Sequence, residues 1–184
     1  FREWCGHRSQ SSLPVSVLND KTTGPENRLG AVGDIIFGIE HAQVDDDLLV
    51  MAGDNLCDFR LSSMVDLLHR KGSCIAAYDV GRLDEASKFG IPRMNSDGRV
   101  VSFEEKPLDP KTSVVAVAIY MFRRTDLGLF EEFRKHGHDL DLMGKFIEWV
   151  QRQVPVYGCV YGADYKWWDI GDPEIYRQAD NFYG

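Results

Sequence analysis

The stretch Leu48-Leu49-Val50-Met51-Ala52-Gly53-Asp54-Asn55 constrains the fold more than any other part of this chain. Four apolar residues, a small residue, a glycine and a carboxylate describe a strand buried on both faces that ends in a polar tip. In an open α/β sheet, ligands gather beyond the carboxyl ends of the strands, so Asp54 stands where a metal or a phosphorylated ligand would be met. Gly53 permits a tight turn and close backbone approach. Asp-Asn is also an ordinary turn pair, and the stretch by itself is compatible with either role.

The flanking pattern extends the reading. Pro14–Asn19 predicts a short strand pegged by Val15, Val17 and Leu18, and residues 20–27 a polar loop. From Leu29 onward, Val32, Ile35, Ile36 and Ile39 recur at helical spacing. The small residues Gly30-Ala31-Val32-Gly33 leave a helix entrance that could hold a phosphate or a base edge, or else let the helix pack closely on a strand. Asp45-Asp46-Asp47 reads as a solvated turn. Leu61, Met64, Val65, Leu67 and Leu68 form the inner face of a helix stopped by Gly72, and Ser73–Asp79 is a further buried strand. This alternation of strands and helices predicts an α/β fold with a largely parallel sheet.

A hairpin then breaks the alternation. It runs from Phe89-Gly90-Ile91 through a tight turn at Asn95-Ser96-Asp97-Gly98 to Phe103-Glu104-Glu105-Lys106-Pro107. Val114–Phe122 is a long apolar strand. Helices over Asp126–Lys135 and Leu142–Arg152 turn Phe130, Phe133, Phe146, Ile147 and Val150 inward, and a strand covers Val154–Tyr161. Tyr165–Pro173 leads into a final helix, with Pro173 suited to its first turn. No repeat or domain boundary interrupts residues 1–184, so one domain is expected. At the start, Phe1-Arg2-Glu3-Trp4 has the look of the middle of an amphipathic element, and Gly6–Ser12 of a loop.

Twenty-nine acidic against 21 basic residues give a formal net charge of −8. That balance argues against broad binding of nucleic acid or anionic membranes. No apolar run approaches the roughly 18 residues of a membrane span. Cys5, Cys57, Cys74 and Cys159 lack metal-ligand spacing and read as free thiols in a reducing cytoplasm. His136 and His138 read as solvated loop residues.

Three acidic spots, Asp54, Glu105 and Asp169, stand at polar ends of expected strands, with Lys106 beside the second. Carboxylates converging in a cleft repel one another. A divalent cation removes that repulsion and can be shared with substrate phosphates, as Mg²⁺ commonly is.

Taken in order, Ala52-Gly53-Asp54-Asn55, the hairpin from Phe89-Gly90-Ile91 to Glu104-Glu105-Lys106-Pro107, and Trp168-Asp169-Ile170-Gly171-Asp172-Pro173 resemble the sugar-1-phosphate nucleotidyltransferases. The glucose-1-phosphate thymidylyl- and uridylyltransferases are the nearest in pattern, from about Asn19 to Asn181. The resemblance implies a Rossmann-like, three-layer nucleotidyltransferase (GT-A-like) fold with a mixed, mostly parallel sheet. It implies Asp54 and Asp169 as Mg²⁺ ligands, with Asn55 beside the first. Gly90 would meet the sugar ring through its backbone, Glu105 would accept sugar hydroxyls, and Lys106 would meet the sugar phosphate. Glu26-Asn27-Arg28-Leu29-Gly30 resembles the segment lining the nucleobase pocket, which makes Leu29 and Gly30 substrate contacts. In the family, a sugar-phosphate oxygen attacks the α-phosphorus of a nucleoside triphosphate and pyrophosphate leaves.

One departure matters. The family opens with a strand and a Gly-rich loop whose Arg and Lys wrap the triphosphate, and no such segment occurs in this sequence. The expectation is therefore an N-terminally truncated domain, inactive alone, that keeps part of the sugar-phosphate site. A strand edge left exposed would be covered by a second copy of the chain. Two other readings stay open. One is a non-catalytic sugar-phosphate-binding or regulatory module. The other is a nucleotide-sugar-dependent glycosyltransferase, a class that usually shows Asp-any-Asp where this chain has Asp54-Asn55-Leu56.

Overall fold

A computed structural model of the chain describes residues 15–184. The expectations for Phe1–Trp4, Cys5, Gly6–Ser12 and Pro14 lie outside the described residues. In chain order the elements are α1 (Ala31–Ala42), β1 (Leu48–Met51), β2 (Asn55–Cys57), α2 (Ser62–Arg70), β3 (Cys74–Asp79), α3 (Leu83–Ala86) and β4 (Gly90–Met94). Then come β5 (Val100–Glu105), β6 (Val114–Phe122), α4 (Gly128–Lys135), α5 (Met143–Val150), β7 (Tyr157–Tyr161), β8 (Trp167–Asp169) and α6 (Pro173–Tyr183).

The longest apolar run, β6, is the strand on which the core is built. Its odd residues Val115, Val117, Ile119 and Met121 enter one core, while Ala116, Tyr120 and Phe122 enter the other. Burial on both faces explains why the run does not alternate. On one face, α1, α4 and α5 bring Val32, Ile36, Phe130, Phe133, Phe146 and Ile147 against Phe122, with the Phe130 and Phe146 rings stacked 4.1 Å apart. On the other face, α2 contributes Met64 and Leu68 beside Phe59 and Tyr161, whose rings stack at 4.2 Å. Helices thus cover both sides of the sheet, giving the three layers expected.

The four-stranded sheet has the order β1-β6-β3-β7. β6 is antiparallel to β1 and β3, and β3 is parallel to β7. Strands β1, β3 and β7 therefore share one direction and β6 opposes them: the sheet is mixed, as the resemblance implied, but among the described residues only β3 and β7 are parallel neighbours. The connection from β3 to β6 carries α3 and the β4–β5 hairpin, and the chain re-enters the sheet antiparallel to β3.

Several expectations need correction. β1 is not buried on both faces, for Leu49 and Met51 are each 43% exposed. Among the described residues it pairs with β6 alone and lies at the sheet's edge. Residues 15–19 form no strand, and Val15, Val17 and Leu18 are exposed. An alternating apolar pattern becomes a strand only where a partner takes up its backbone groups. Val65 lies on the outer side of α2. The helix expected from Asp126 starts at Gly128, after a tighter turn over Arg124–Asp126. The strand expected from Val154 starts at Tyr157, past Pro155, which has no N–H to give a ladder. Asp45 and Asp47 both serve Arg124: Asp45 pairs with the guanidinium at 2.6 Å and Asp47 accepts the backbone N–H at 2.8 Å. No helix among the described residues is long and apolar enough to cross a membrane.

Two appendages of this sheet carry the acidic spots. The β4–β5 hairpin is tied to β7 by Val100 N–H donating to Val156 O at 2.8 Å and Gly158 N–H donating to Gly98 O at 2.9 Å. The β2–β8 ribbon is antiparallel, with Asn55 opposite Asp169 and Cys57 opposite Trp167.

Candidate functional site

At the end of β1 the chain turns sharply, Asn55 N–H donating to Ala52 O at 3.3 Å, and this turn presents Asp54. β8 then returns alongside β2, and Ile170 N–H donates to Asp54 O at 2.8 Å. The two aspartates, remote in sequence, are thereby brought to either side of Gly171. A Cβ built on that glycine would stand 3.4 Å from Asp169 Oδ1 and 4.0 Å from Asp54 Oδ2. Asn55 aims the first of them: its Nδ2 donates to Asp54 Oδ1 at 3.0 Å while its Oδ1 accepts from Trp167 Nε1 at 2.6 Å. Two adjacent carboxylates are hard oxygen donors, and Mg²⁺ is commonly held by one or two of these together with water and phosphate oxygens. Among the described residues no group of three or more His, Cys, Asp or Glu side chains converges as an all-protein metal cage would require. Two carboxylates are the kind of partial donor set from which Mg²⁺ is held.

The hairpin supplies the second half. Gly90 and Glu105 face each other across β4 and β5. Lys106 closes the hairpin base in a left-handed conformation, φ +47°, with its N–H donating to Phe89 O at 3.2 Å. The Phe89 ring packs edge-on against Trp167 with centroids 5.1 Å apart, so the hairpin base and the β2–β8 ribbon are in contact. Glu105 is half-buried, and its carboxylate accepts no hydrogen bond from any described residue. Burial pushes its carboxyl above the usual glutamate range, against the opposing pull of Lys106 and Lys145. The Tyr120 phenol, buried beside it, is pushed up by the same loss of solvent and by the charge of Glu105.

These groups share one cleft. A cavity of about 190 Å³ is lined by Gly90, Glu105, Lys106, Tyr120, Gly144 and Asp169, among others. Asp54 and Asn55 do not line it; Asp54 lies near Asp169 beside Gly171. Leu29 and Gly30 do not line it. Gly30, φ +79°, is pressed against the Leu140–Asp141 backbone, where a Cβ would come within 2.6 Å of Leu140 O. Val32 N–H donates to the same oxygen at 2.9 Å, so the α1 entrance is partly closed by protein. A second cleft of about 250 Å³ beside His138 and Trp149 has its cations engaged, Lys145 and Arg152 both pairing with Glu148.

The sequence reading missed Tyr120 and Gly144. Tyr120 had a signal, being the one hydroxyl in an otherwise apolar strand. Gly144 had a fainter one, a glycine in the first turn of an amphipathic helix, where it weakens the helix.

The sequence model of the Nucleotidyl transferase family matches residues 7–184. The glucose-1-phosphate adenylyltransferase of Rhodopirellula baltica is 29% identical over 166 residues, covering 82% of this chain and 37% of that protein. The enzyme of the same name from Thermomicrobium roseum is 33% identical over 144 residues, covering 73% of this chain and 32% of that protein. The chain thus spans about a third of the length of these curated relatives. A UDP-glucose pyrophosphorylase solved with UDP-glucose superimposes with a TM-score of 0.69 at 22% identity, over 84% of this chain and 61% of that one, which shows a shared fold.

Proposed function

This chain belongs to the nucleotidyl transferase family, and on that premise we propose that it carries the sugar-phosphate half of a sugar-1-phosphate nucleotidyltransferase site. The observation that carries this reading is Glu105, a half-buried carboxylate without a hydrogen-bond donor among the described residues, in a cleft shared with Lys106 and Asp169. A sugar phosphate supplies what each group lacks. Its hydroxyls donate to Glu105, its phosphate meets Lys106, and the Gly90 backbone lies close enough for the ring because no side chain intervenes. Asp54 and Asp169 would hold Mg²⁺, which when bound neutralises phosphate charge. Glucose 1-phosphate, named in the adenylyltransferase relatives, is the sugar phosphate we assign to the cleft.

In the full reaction, the sugar-phosphate oxygen bonds to the α-phosphorus of a nucleoside triphosphate as the bond to pyrophosphate breaks. The nucleophile is already anionic, so the protein's task is positioning and charge balance. Residues Glu26–Gly30, with Leu29 and Gly30, would serve the nucleobase from the Leu140–Asp141 side, outside the cleft. The 184 residues include no Gly-rich loop with Arg and Lys for the triphosphate, so this chain alone would bind sugar phosphate without turning it over. A second copy would cover the edge of β1 that no described strand pairs, and free thiols at Cys57, Cys74 and Cys159 suit a reducing cytoplasm.

Isothermal titration with glucose 1-phosphate and Mg²⁺, beside an assay for pyrophosphate release, tests the reading. Saturable binding lost in Glu105→Ala and in Lys106→Ala, with no pyrophosphate released, is expected. Absence of binding would refute the sugar-phosphate assignment. Pyrophosphate release from any nucleoside triphosphate would refute the half-site.

A further inference from the structure

We propose that Gly144 is a positioning residue: the missing side chain at this point of α5 admits the Glu105 carboxylate into the cleft, and so sets the affinity for the sugar. The inference deepens the sugar-phosphate reading and rests on it.

The geometry is a slot. A Cβ built on Gly144 would overlap Glu105 Oε2 and stand 2.8 Å from its Cδ and 3.1 Å from Phe103 Cε1. From the opposite side, a Cβ on Gly90 would stand 3.2 Å from the same Oε2. The carboxylate is thus gripped between two bare backbone positions, with the Phe103 ring as a third wall. Neither lysine that acts electrostatically on Glu105, Lys106 or Lys145, forms a hydrogen bond to it among the described residues.

Glycine at position 144 brings α5 no advantage as a helix. The helix buries Phe146, Ile147 and Val150, and an alanine in its first turn would have the higher helical propensity. The φ of Gly144 is not in the left-handed region, so the backbone does not require glycine there. A methyl group at this position would strike chiefly the far end of a flexible side chain, which can swing away. Removal of the glycine should therefore leave the fold standing and empty the slot. That combination separates positioning from scaffolding, since a merely structural glycine would lower stability when replaced.

Gly144→Ala is the test, in the 184-residue chain, titrated with glucose 1-phosphate and Mg²⁺. Its unfolding midpoint should equal or exceed the parent's, while the Kd weakens at least tenfold. Glu105→Asp, one methylene shorter, should weaken binding less in the Gly144→Ala background than in the parent. A crystal structure of Gly144→Ala should show Glu105 turned out of the slot. An unchanged Kd, or a carboxylate that stays in place, would overturn the proposal. Should Gly144→Ala fail to fold, the double variant Glu105→Ala/Gly144→Ala removes the struck oxygen. Recovery of the fold then supports the slot, and continued failure traces the need for glycine to Phe103 and overturns it. If the parent binds no glucose 1-phosphate while the variant structure shows Glu105 displaced, the sugar reading falls and the slot stands.

Discussion

Ala118 holds φ +49° in the middle of β6, a conformation that L-residues rarely adopt. It lies beside a register irregularity between β3 and β6, and its carbonyl accepts from Ala52 N–H at 3.1 Å just before Asp54. Such a bulge bends the strand and re-aims the side chains beyond it, as bulges near functional sites do. Ala118→Gly should relieve the strain and, after the greater chain entropy of glycine, stabilise the protein by up to about 1 kcal/mol in urea denaturation. A loss of stability would mean that the methyl group's packing outweighs its strain. Glu105 offers a second residue-scale expectation. A glutamate whose folded pKa is raised favours folding in acid: its contribution is complete below the ordinary 4.5 and is lost as pH rises through the elevated value. Glu105→Gln should therefore gain stability relative to the parent as pH climbs through that window, level off above it, and bind glucose 1-phosphate poorly throughout. A stability difference that is flat with pH would contradict the burial of Glu105. Asp54 was legible in the sequence because a short polar tip follows the apolar run of β1, whereas Glu105 and Asp169 stood out only within their motifs. Tyr120 and Gly144 left only a local mark, a lone hydroxyl in an apolar strand and a glycine in a helix, because their roles come from the groups across the cleft.

At the scale of elements, the hairpin, both phenylalanine-bearing helices and the final helix were readable, since turn residues and helical spacing are local signals. Burial of β1 and the strand over residues 15–19 were not, for both depend on a neighbouring strand that the local pattern cannot supply. One joint between elements was also invisible. Ser73, 1% exposed at the head of β3, donates to Asp126 Oδ2 at 2.5 Å and accepts from Arg123 N–H at 3.0 Å. Arg123 in turn donates to Leu68 O at the end of α2, at 2.9 Å. One hydroxyl thus ties the start of β3 to the residues just past β6 and, through Arg123, to α2. Ser73→Ala leaves a buried N–H and a carboxylate short of partners and should destabilise by about 1–3 kcal/mol, read from the denaturation midpoint, with glucose 1-phosphate affinity unaltered at concentrations that keep the chain folded. Gly90→Ala should behave in the opposite way to the change at 144. Its Cβ would overlap the Phe103 ring in the hairpin's own core, so stability falls by about 1–3 kcal/mol, and binding weakens along with it. An unfolding midpoint equal to the parent's would show that the hairpin yields more easily than its packing suggests.

For the molecule as a whole, the decisive asymmetry is between the two sheet edges. β7 carries the hairpin along part of its outer side, through Val100 N–H and Gly158 N–H. β1 has no strand on its outer side among the described residues, and its sequence Leu-Leu-Val-Met contains neither charge nor proline to discourage pairing. Exposed edges without such protection are templates for another chain. A second copy meeting this edge would make the oligomeric state depend on β1, while the cleft around Glu105 stays open. Leu49→Lys separates these features. Leu49 is already largely exposed, so the substitution should change the stability of the isolated fold by no more than about 0.5 kcal/mol. A charge on the edge should nevertheless oppose pairing, and sedimentation velocity should show the variant as a monomer at concentrations where the parent associates. Glucose 1-phosphate affinity should be the same in both. A parent that is monomeric at every concentration would exclude the second copy. A variant that associates like the parent would move the contact away from β1.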